Sequence, residues 1–192
     1  MIKYPDGTVY KKKDTKPAKR RILTASNRGM SLENDINITN EYYKDKDICL
    51  ILKRPTPINV VKVDYDHGAR IIDAYFEKQS TTDYNGIYRG KYIDFEAKNT
   101  KNKASFPLSN IYKHQIEHLE AVIHHGGIAF FIVEFETLGK VFLLDAQDVI
   151  NFYKRKERKS IPISYFIENG IEIDQGYNPR VDYIKAVDKK YF

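Results

Sequence analysis

The sequence predicts a mixed α/β domain, and three of its features say so. Short apolar runs with strand alternation, at residues 92–98, 128–135 and 141–144, are separated by segments whose apolar residues recur at helical spacing, best at 110–125 and again from about Ala146. Turn-forming steps punctuate the chain at Asp66-His67-Gly68, Asn85-Gly86, Arg89-Gly90, Gly126-Gly127 and Leu138-Gly139-Lys140. With 192 residues, 42% hydrophobic and 13% aromatic, the chain can bury one core of ordinary size but not two.

Taken in order, residues 1–29 hold three consecutive lysines and then Lys19, Arg20 and Arg21, with few apolar side chains to offset the entropy of ordering them. The expectation is a flexible arm over 1–29 and a single domain over 30–192. Ser31 is placed to cap a helix running to about Lys46, with Leu32, Ile36 and Tyr43 on one face. Residues 48–53 read as a buried strand with Cys49 in the core, and Pro55 and Pro57 stop it. From 58 to 72 a β-branched run turns at Asp66-His67-Gly68 and returns, the pattern of a hairpin that Lys62 and Arg70 leave moderately basic. That hairpin is equally compatible with a meander of the core sheet and with an arm projecting from it.

Residues 81–85 and 90–98 read as two strands, with Asn85-Gly86 and Arg89-Gly90 both available as the turn. The helix predicted over 110–125 lines Ile116, Leu119, Val122 and Ile123 along one face, and Gly126-Gly127 stops it. Strands over 128–135 and 141–144 follow, then a helix from about Ala146 that ends in the basic cluster of residues 154–159.

Charge is unevenly placed. The chain carries 32 Lys+Arg against 26 Asp+Glu, a formal +6. Residues 1–28 hold nine basic and two acidic side chains, so that stretch is +7 and the remainder −1. A dense cationic arm attracts polyanions, nucleic acid foremost. A single cysteine excludes an intrachain disulfide and any multi-thiolate site, and fits a reducing cytosol. Apolar runs such as 128–133 fall far short of the roughly 18–20 residues that cross a bilayer. The opening Met-Ile-Lys-Tyr-Pro-Asp-Gly offers no apolar stretch for a secretory signal, so the expected location is cytoplasmic, with no membrane partner.

The stretch richest in chemistry is Tyr92-Ile93-Asp94-Phe95-Glu96-Ala97-Lys98. Strand alternation sends Ile93, Phe95 and Ala97 to one face and Asp94, Glu96 and Lys98 to the other. A solvent-facing charge pair is one reading of that second face. The other is catalytic, because Asp83 lies upstream on the strand a hairpin would bring alongside. Two carboxylates and a lysine at one end of a sheet can hold Mg²⁺, orient a water and stabilise charge on a phosphate, the requirements of phosphodiester hydrolysis. The arrangement resembles the PD-(D/E)xK nuclease pattern, with Thr82 where that pattern has proline.

Longer words extend the likeness: Gln79-Ser-Thr-Thr-Asp-Tyr-Asn-Gly, Asn102-Lys-Ala-Ser-Phe-Pro-Leu, His114-Gln-Ile-Glu-His, Arg28-Gly-Met-Ser-Leu-Glu, Lys53-Arg-Pro-Thr-Pro and Gly176-Tyr-Asn-Pro-Arg-Val-Asp-Tyr. In these words, and in their order along nearly the whole chain, the sequence resembles the RecU family of Holliday junction resolvases. The resemblance implies a restriction-endonuclease-like mixed central sheet flanked by helices, and a homodimeric, Mg²⁺-dependent endonuclease, Mn²⁺ being an alternative cation. It implies paired symmetric nicks in four-way DNA junctions during recombination and repair, and it admits a recombinase as a further partner. By motif match, Asp83 and Glu96 are the implied metal-binding carboxylates, Thr81 and Gln115 further positions around the metal, and Lys98 the transition-state stabiliser. Residues 55–75 match the family's protruding stalk, which makes Lys62 and Arg70 implied phosphate contacts and sets base stacking against core packing for Tyr65 and Phe76. Lys19, Arg20, Arg21 and Arg28 are the implied DNA contacts of the arm.

Three rivals stand beside this reading. His114-Gln-Ile-Glu-His118 also spells an inverzincin zinc motif. A restriction-type duplex endonuclease would use the same Asp83, Glu96 and Lys98. A non-catalytic branched-DNA-binding protein would use the basic arm alone.

Overall fold

The structure is a computed structural model, and it describes residues 29–66, 68–77 and 81–192. The first helix, α1 (Gly29–Asp45), begins before Ser31, which therefore lies inside it and not at its cap. Leu32, Ile36 and Tyr43 are buried on one face, as the spacing predicts, and Thr39 and Asn40 are buried with them. These two polar side chains serve the far end of the chain. Thr39 Oγ1 accepts the backbone N–H groups of Arg180 and Val181, and Asn40 Oδ1 accepts the Tyr183 hydroxyl at 2.5 Å.

Next comes β1 (Leu50–Lys53), which pairs with a single neighbour among the described residues. As an edge strand it buries Ile51 alone and leaves Leu50 and Leu52 about half exposed, so the expected buried strand is only partly one. Cys49 packs half-buried against the core, and burial pushes its thiol up to about 12. The hairpin of β2 (Ile58–Asp64) and β3 (Arg70–Phe76) forms a two-stranded sheet of its own and takes no part in the central sheet. Neither face of it is buried: every residue of β3 is exposed, Tyr65 is 74% exposed and Phe76 78%. That disposes of the meander and of core packing for both rings.

The strands β4 (Tyr84–Tyr88) and β5 (Lys91–Thr100) meet through Arg89-Gly90, with φ values of 47° and 72°. Two central residues with positive φ make the primed turn that suits a twisted hairpin. The strand predicted over 81–85 thus begins three residues late, and Asn85-Gly86 lies within β4 instead of turning it. Gly86 is there because β1 presses on it: a Cβ would sit 1.9 Å from the Leu50 carbonyl oxygen and 2.7 Å from Ile51 Cα. Both are backbone atoms, so Gly86→Ala is expected to destabilise by on the order of 3 kcal/mol, seen as a lower urea midpoint. Unchanged stability would mean that β1 can lift away freely.

After β6 (Ser105–Pro107) a short 3-10 turn occupies Leu108–Asn110, and α2 (Lys113–His124) starts later than predicted. Gln115 sets the first turn there, its side-chain Oε1 accepting the Tyr112 backbone N–H at 3.0 Å while its own N–H donates to the Tyr112 carbonyl oxygen at 3.1 Å. His124 and His125 are exposed at the helix end. Then follow β7 (Ile128–Phe135), β8 (Lys140–Asp145) and α3 (Ala146–Arg155), whose N-terminus is capped by Asp145 accepting the Gln147 N–H at 2.7 Å. The helix does not run to residue 159, because Lys156 adopts a left-handed conformation, φ 56°, and breaks it. β9 (Ser160–Pro162), α4 (Ile163–Asn169), β10 (Ile171–Glu172) and α5 (Tyr183–Tyr191) complete the chain.

The central sheet has the order β1-β4-β5-β7-β8-β10, with β5 and β7 parallel and the other pairs antiparallel. This is the mixed sheet flanked by helices that the resemblance implies. One face packs on α1 and α5, where Phe95 stacks between Tyr84 and Phe130 at ring-centroid distances of 4.9 and 4.8 Å. The other face packs on α2, α3 and α4. β7 is covered on both faces, which explains its continuous apolar run. The crossover from β5 through α2 to the parallel β7 lays α2 along β5. No helix among the described residues is long and apolar enough to cross a membrane.

Candidate active site and metal centre

On the face of β5 that meets α2, apolar residues are replaced by carboxylates. Asp94 and Glu96 are both fully buried, so the charged face predicted by alternation is not a solvated one. A buried carboxylate needs partners, and the neighbouring elements supply them.

Glu96 is held from three sides. Its Oε1 receives the Gln115 amide Nε2 at 2.5 Å and lies 2.6 Å from Lys98 Nζ, while its Oε2 accepts the Asp83 backbone N–H at 3.2 Å. Asp83 sits in the short segment leading into β4, and its Oδ2 accepts the Ala97 N–H at 3.2 Å. The hairpin register that pairs Tyr84 with Phe95 therefore brings Asp83 beside Glu96. Burial, reinforced by the charge of Asp83 and opposed by Lys98, pushes the Glu96 carboxyl up to about 8. Two neighbouring carboxylates, one of them raised by burial and by the charge of the other, fit a hard divalent cation.

The expected residues are not placed alike. Asp83, Glu96 and Lys98 come together, and Thr81 lines, with Asp83 and Arg54, a cleft of about 180 Å³ at the root of the hairpin. Gln115 reaches the site through its amide nitrogen, because its Oε1 accepts the Tyr112 N–H at 3.0 Å in the helix cap. In this arrangement it orients Glu96 and does not present an oxygen. Lys62 and Arg70 stand exposed on the hairpin, away from the carboxylates, opposite Asp73 and Asp64 in the ladder. With Asp66 these acids cancel the moderately basic character read from Lys62 and Arg70. Lys19, Arg20, Arg21 and Arg28 lie outside the described residues. His114, Glu117 and His118 are not arranged as two zinc ligands and a base, since Glu117 pairs with Lys113 at 2.8 Å in solvent and His118 turns to Asp94 at 3.0 Å.

A second cluster, centred on Asp94, has no counterpart in the sequence reading. Asp94 Oδ1 accepts the Thr82 hydroxyl. Its Oδ2 takes Arg54 Nη2 at 2.6 Å, the Tyr92 hydroxyl at 2.8 Å and His118 Nε2 at 3.0 Å. Burial raises this carboxyl, but the hydrogen bonds from His118, Thr82 and Tyr92 and the Arg54 charge outweigh it and hold Asp94 below the usual carboxylate range. The available signals were the shared strand face of Asp94 and Glu96, and the helical spacing that lets Gln115 and His118 meet them in turn.

The model of the family described as Recombination protein U matches residues 27–189. The Holliday junction resolvase RecU of Geobacillus kaustophilus is 50% identical over 196 residues, covering 100% of this chain and 98% of that protein. The protein of the same name from a Geobacillus species is 51% identical over 198 residues, covering 100% and 98%. The solved structure of Hjc, a Holliday junction resolvase from Archaeoglobus fulgidus, is a remote likeness: 16% identical, TM-score 0.43, covering 75% of this chain and 95% of its own. The match across the whole described fold, with the carboxylates and lysine of the motif gathered at one sheet face, makes this chain a member of the RecU family.

Proposed function

We propose that this chain is a divalent-metal-dependent endonuclease that resolves four-way DNA junctions by paired symmetric nicks, acting in the cytoplasm in recombination and repair. The observation that carries it is the convergence of Asp83, Glu96 and Lys98 at the root of an exposed hairpin. The name shared by relatives half identical across the chain supports the same substrate.

Asp83 and Glu96 would hold the cation, Mg²⁺ or Mn²⁺, with Thr81 at the edge of the same cleft. When bound, the cation supplies a lowered water pKa and Lewis acidity toward the phosphoryl oxygens. Gln115 fixes the Glu96 carboxylate through a short amide contact, so the ligand needs no reorganisation. Lys98, one-fifth exposed and 6.0 Å from the Tyr112 ring centroid, points its ammonium at the same position and offsets the charge that grows on the scissile phosphate. Water oxygen replaces one bridging oxygen on phosphorus, and the leaving oxygen takes a proton.

The hairpin is the proposed stalk. Its exposed side chains are mainly apolar and aromatic, Tyr65 and Phe76 among them, so it suits the unstacked bases of a branch point better than a phosphate backbone. Two nicks related by symmetry need two sites related by a two-fold axis, hence a homodimer. The exposed Leu50, Leu52 and Ile87 at the edge of the sheet, next to the apolar hairpin, support that face as the dimer surface.

The test compares a mobile-core four-way junction with a linear duplex of matched sequence, in MgCl2 and in EDTA. Paired nicks near the crossover, confined to the junction and to MgCl2, are expected. Equal cutting of the duplex would make the chain a restriction-type enzyme, and binding without cutting would make it a branched-DNA-binding module.

A further inference from the structure

The Asp94 cluster lies beside the candidate metal centre without belonging to it, and its most informative member is Arg54. This residue follows the last residue of β1 and precedes the Pro55–Pro57 link into the hairpin. An arginine in that place reads as a phosphate contact, yet its guanidinium is occupied. Nη1 donates to Thr82 Oγ1 at 2.8 Å and lies 3.3 Å from His118 Nε2; Nη2 donates to the Tyr92 hydroxyl at 2.8 Å and to Asp94 at 2.6 Å. The Arg54 backbone N–H donates to the Asp83 carbonyl oxygen at 2.8 Å. Arg54 thus grips the Thr82–Asp83 segment by main chain and side chain together, and ties it to the strand that carries Glu96.

We propose that Arg54 is a positioning residue, whose fork to Asp94, Thr82 and Tyr92 fixes the segment bearing Asp83 and the root of the hairpin against the strand bearing Glu96. This rests on the reading of Asp83 and Glu96 as the metal carboxylates, and extends it to what keeps them in register. Asp94 is the anchor because it sits two residues from Glu96 on the same strand face, and a fully buried carboxylate holds its charged partner firmly. His118 completes the frame, since it lies one helical turn after Gln115 on α2 and so aligns the Gln115 contact with Glu96. The hairpin root is closed by the Glu77 N–H donating to the Pro57 carbonyl at 2.9 Å. The junction-engaging element and the cutting carboxylates therefore share one rigid attachment.

The test uses Arg54→Lys in the full chain, which keeps the charge but loses the planar fork, so it cannot serve Thr82, Tyr92 and Asp94 at once. Junction binding is measured in EDTA, and single-turnover cleavage across a MgCl2 titration. The expected result is binding within threefold of wild type, cleavage reduced at least thirtyfold, and a MgCl2 requirement raised about tenfold, with excess MgCl2 recovering part of the rate. Loss of cleavage in proportion to loss of binding would overturn the proposal in favour of a phosphate contact. Cleavage within threefold of wild type would overturn it too, as would reduced cleavage with an unchanged metal requirement, the mark of a merely structural role. If Arg54→Lys does not fold, Tyr92→Phe, which removes one hydroxyl from the cluster, is expected to raise the MgCl2 requirement about threefold, and an unchanged requirement there would overturn the proposal. Glu96→Ala run in parallel separates the two levels: if it cuts as wild type does, the site reading has failed, whereas if it is inactive and Arg54→Lys is normal, only this inference has.

Discussion

Glu96→Ala is expected to bind a four-way junction as the wild type does and to cut it at least about a thousandfold more slowly. Among the described residues Glu96 and Asp83 are the two carboxylates of the candidate centre, and Glu96 is the side chain that meets both Gln115 and Lys98. On the proposed reading, removing it takes away a cation ligand and the partner that aims the Lys98 ammonium, two contributions each worth orders of magnitude in hydrolytic sites. Binding is expected to be spared because the group is fully buried. Stability sets this variant apart from a misfolded one. A carboxyl raised by burial opposes folding above its ordinary pKa, so without metal Glu96→Gln is expected to melt at or above the wild-type temperature at pH 8. Single-turnover cleavage, gel shifts in EDTA and thermal melts together check this. A variant that retains more than about 1% of the wild-type rate would remove Glu96 from the centre.

The candidate site was legible in the sequence where it follows strand geometry. Alternation put Glu96 and Lys98 on one face, and the Arg89-Gly90 turn makes Asp83 their neighbour. What alternation cannot say is which face is covered. Asp94 and Glu96 look the same to a periodicity argument whether solvent or α2 lies over them, and only the parallel pairing of β5 with β7 decides it. Arg54 was opaque for a related reason: its partners, Thr82, Tyr92, Asp94 and His118, come from three distant segments, and no local pattern announces that convergence. The same holds for residues 160–192. Their short elements are held by long-range contacts such as Tyr43 with Asp182 at 2.7 Å and Thr39 with Val181, so local propensity carries little of the signal. In α3 the basic cluster of residues 154–159 read as a continuing helix, and a single left-handed residue ended it.

Mg²⁺ affinity is expected to rise about tenfold per pH unit from pH 6 to pH 8, and to level off above that. The cause is the carboxyl raised to about 8 by burial and by Asp83. The proton is held on Glu96, whose carboxyl resists charging because it is buried and because Asp83 lies beside it. Cation binding must displace that proton, so each unit below pH 8 weakens binding by up to tenfold, about a hundredfold in all at pH 6. Folding shows the mirror image. Between the ordinary carboxylate range and pH 8, the native state without metal holds a proton that the unfolded chain has released. Its stability therefore falls as pH rises through that window, and saturating MgCl2 restores it most at the upper end. The Asp94 carboxyl has the opposite sign: held low by its partners, it contributes stability that is present at neutral pH and disappears only in acid, as pH drops through its lowered pKa. Calorimetric MgCl2 titrations and thermal melts at pH 6, 7, 8 and 9 resolve the two effects. A flat Mg²⁺ affinity across pH 6–8, or an unchanged slope in Glu96→Gln, would mean that the displaced proton does not come from Glu96, and that the cation is held elsewhere than between Asp83 and Glu96.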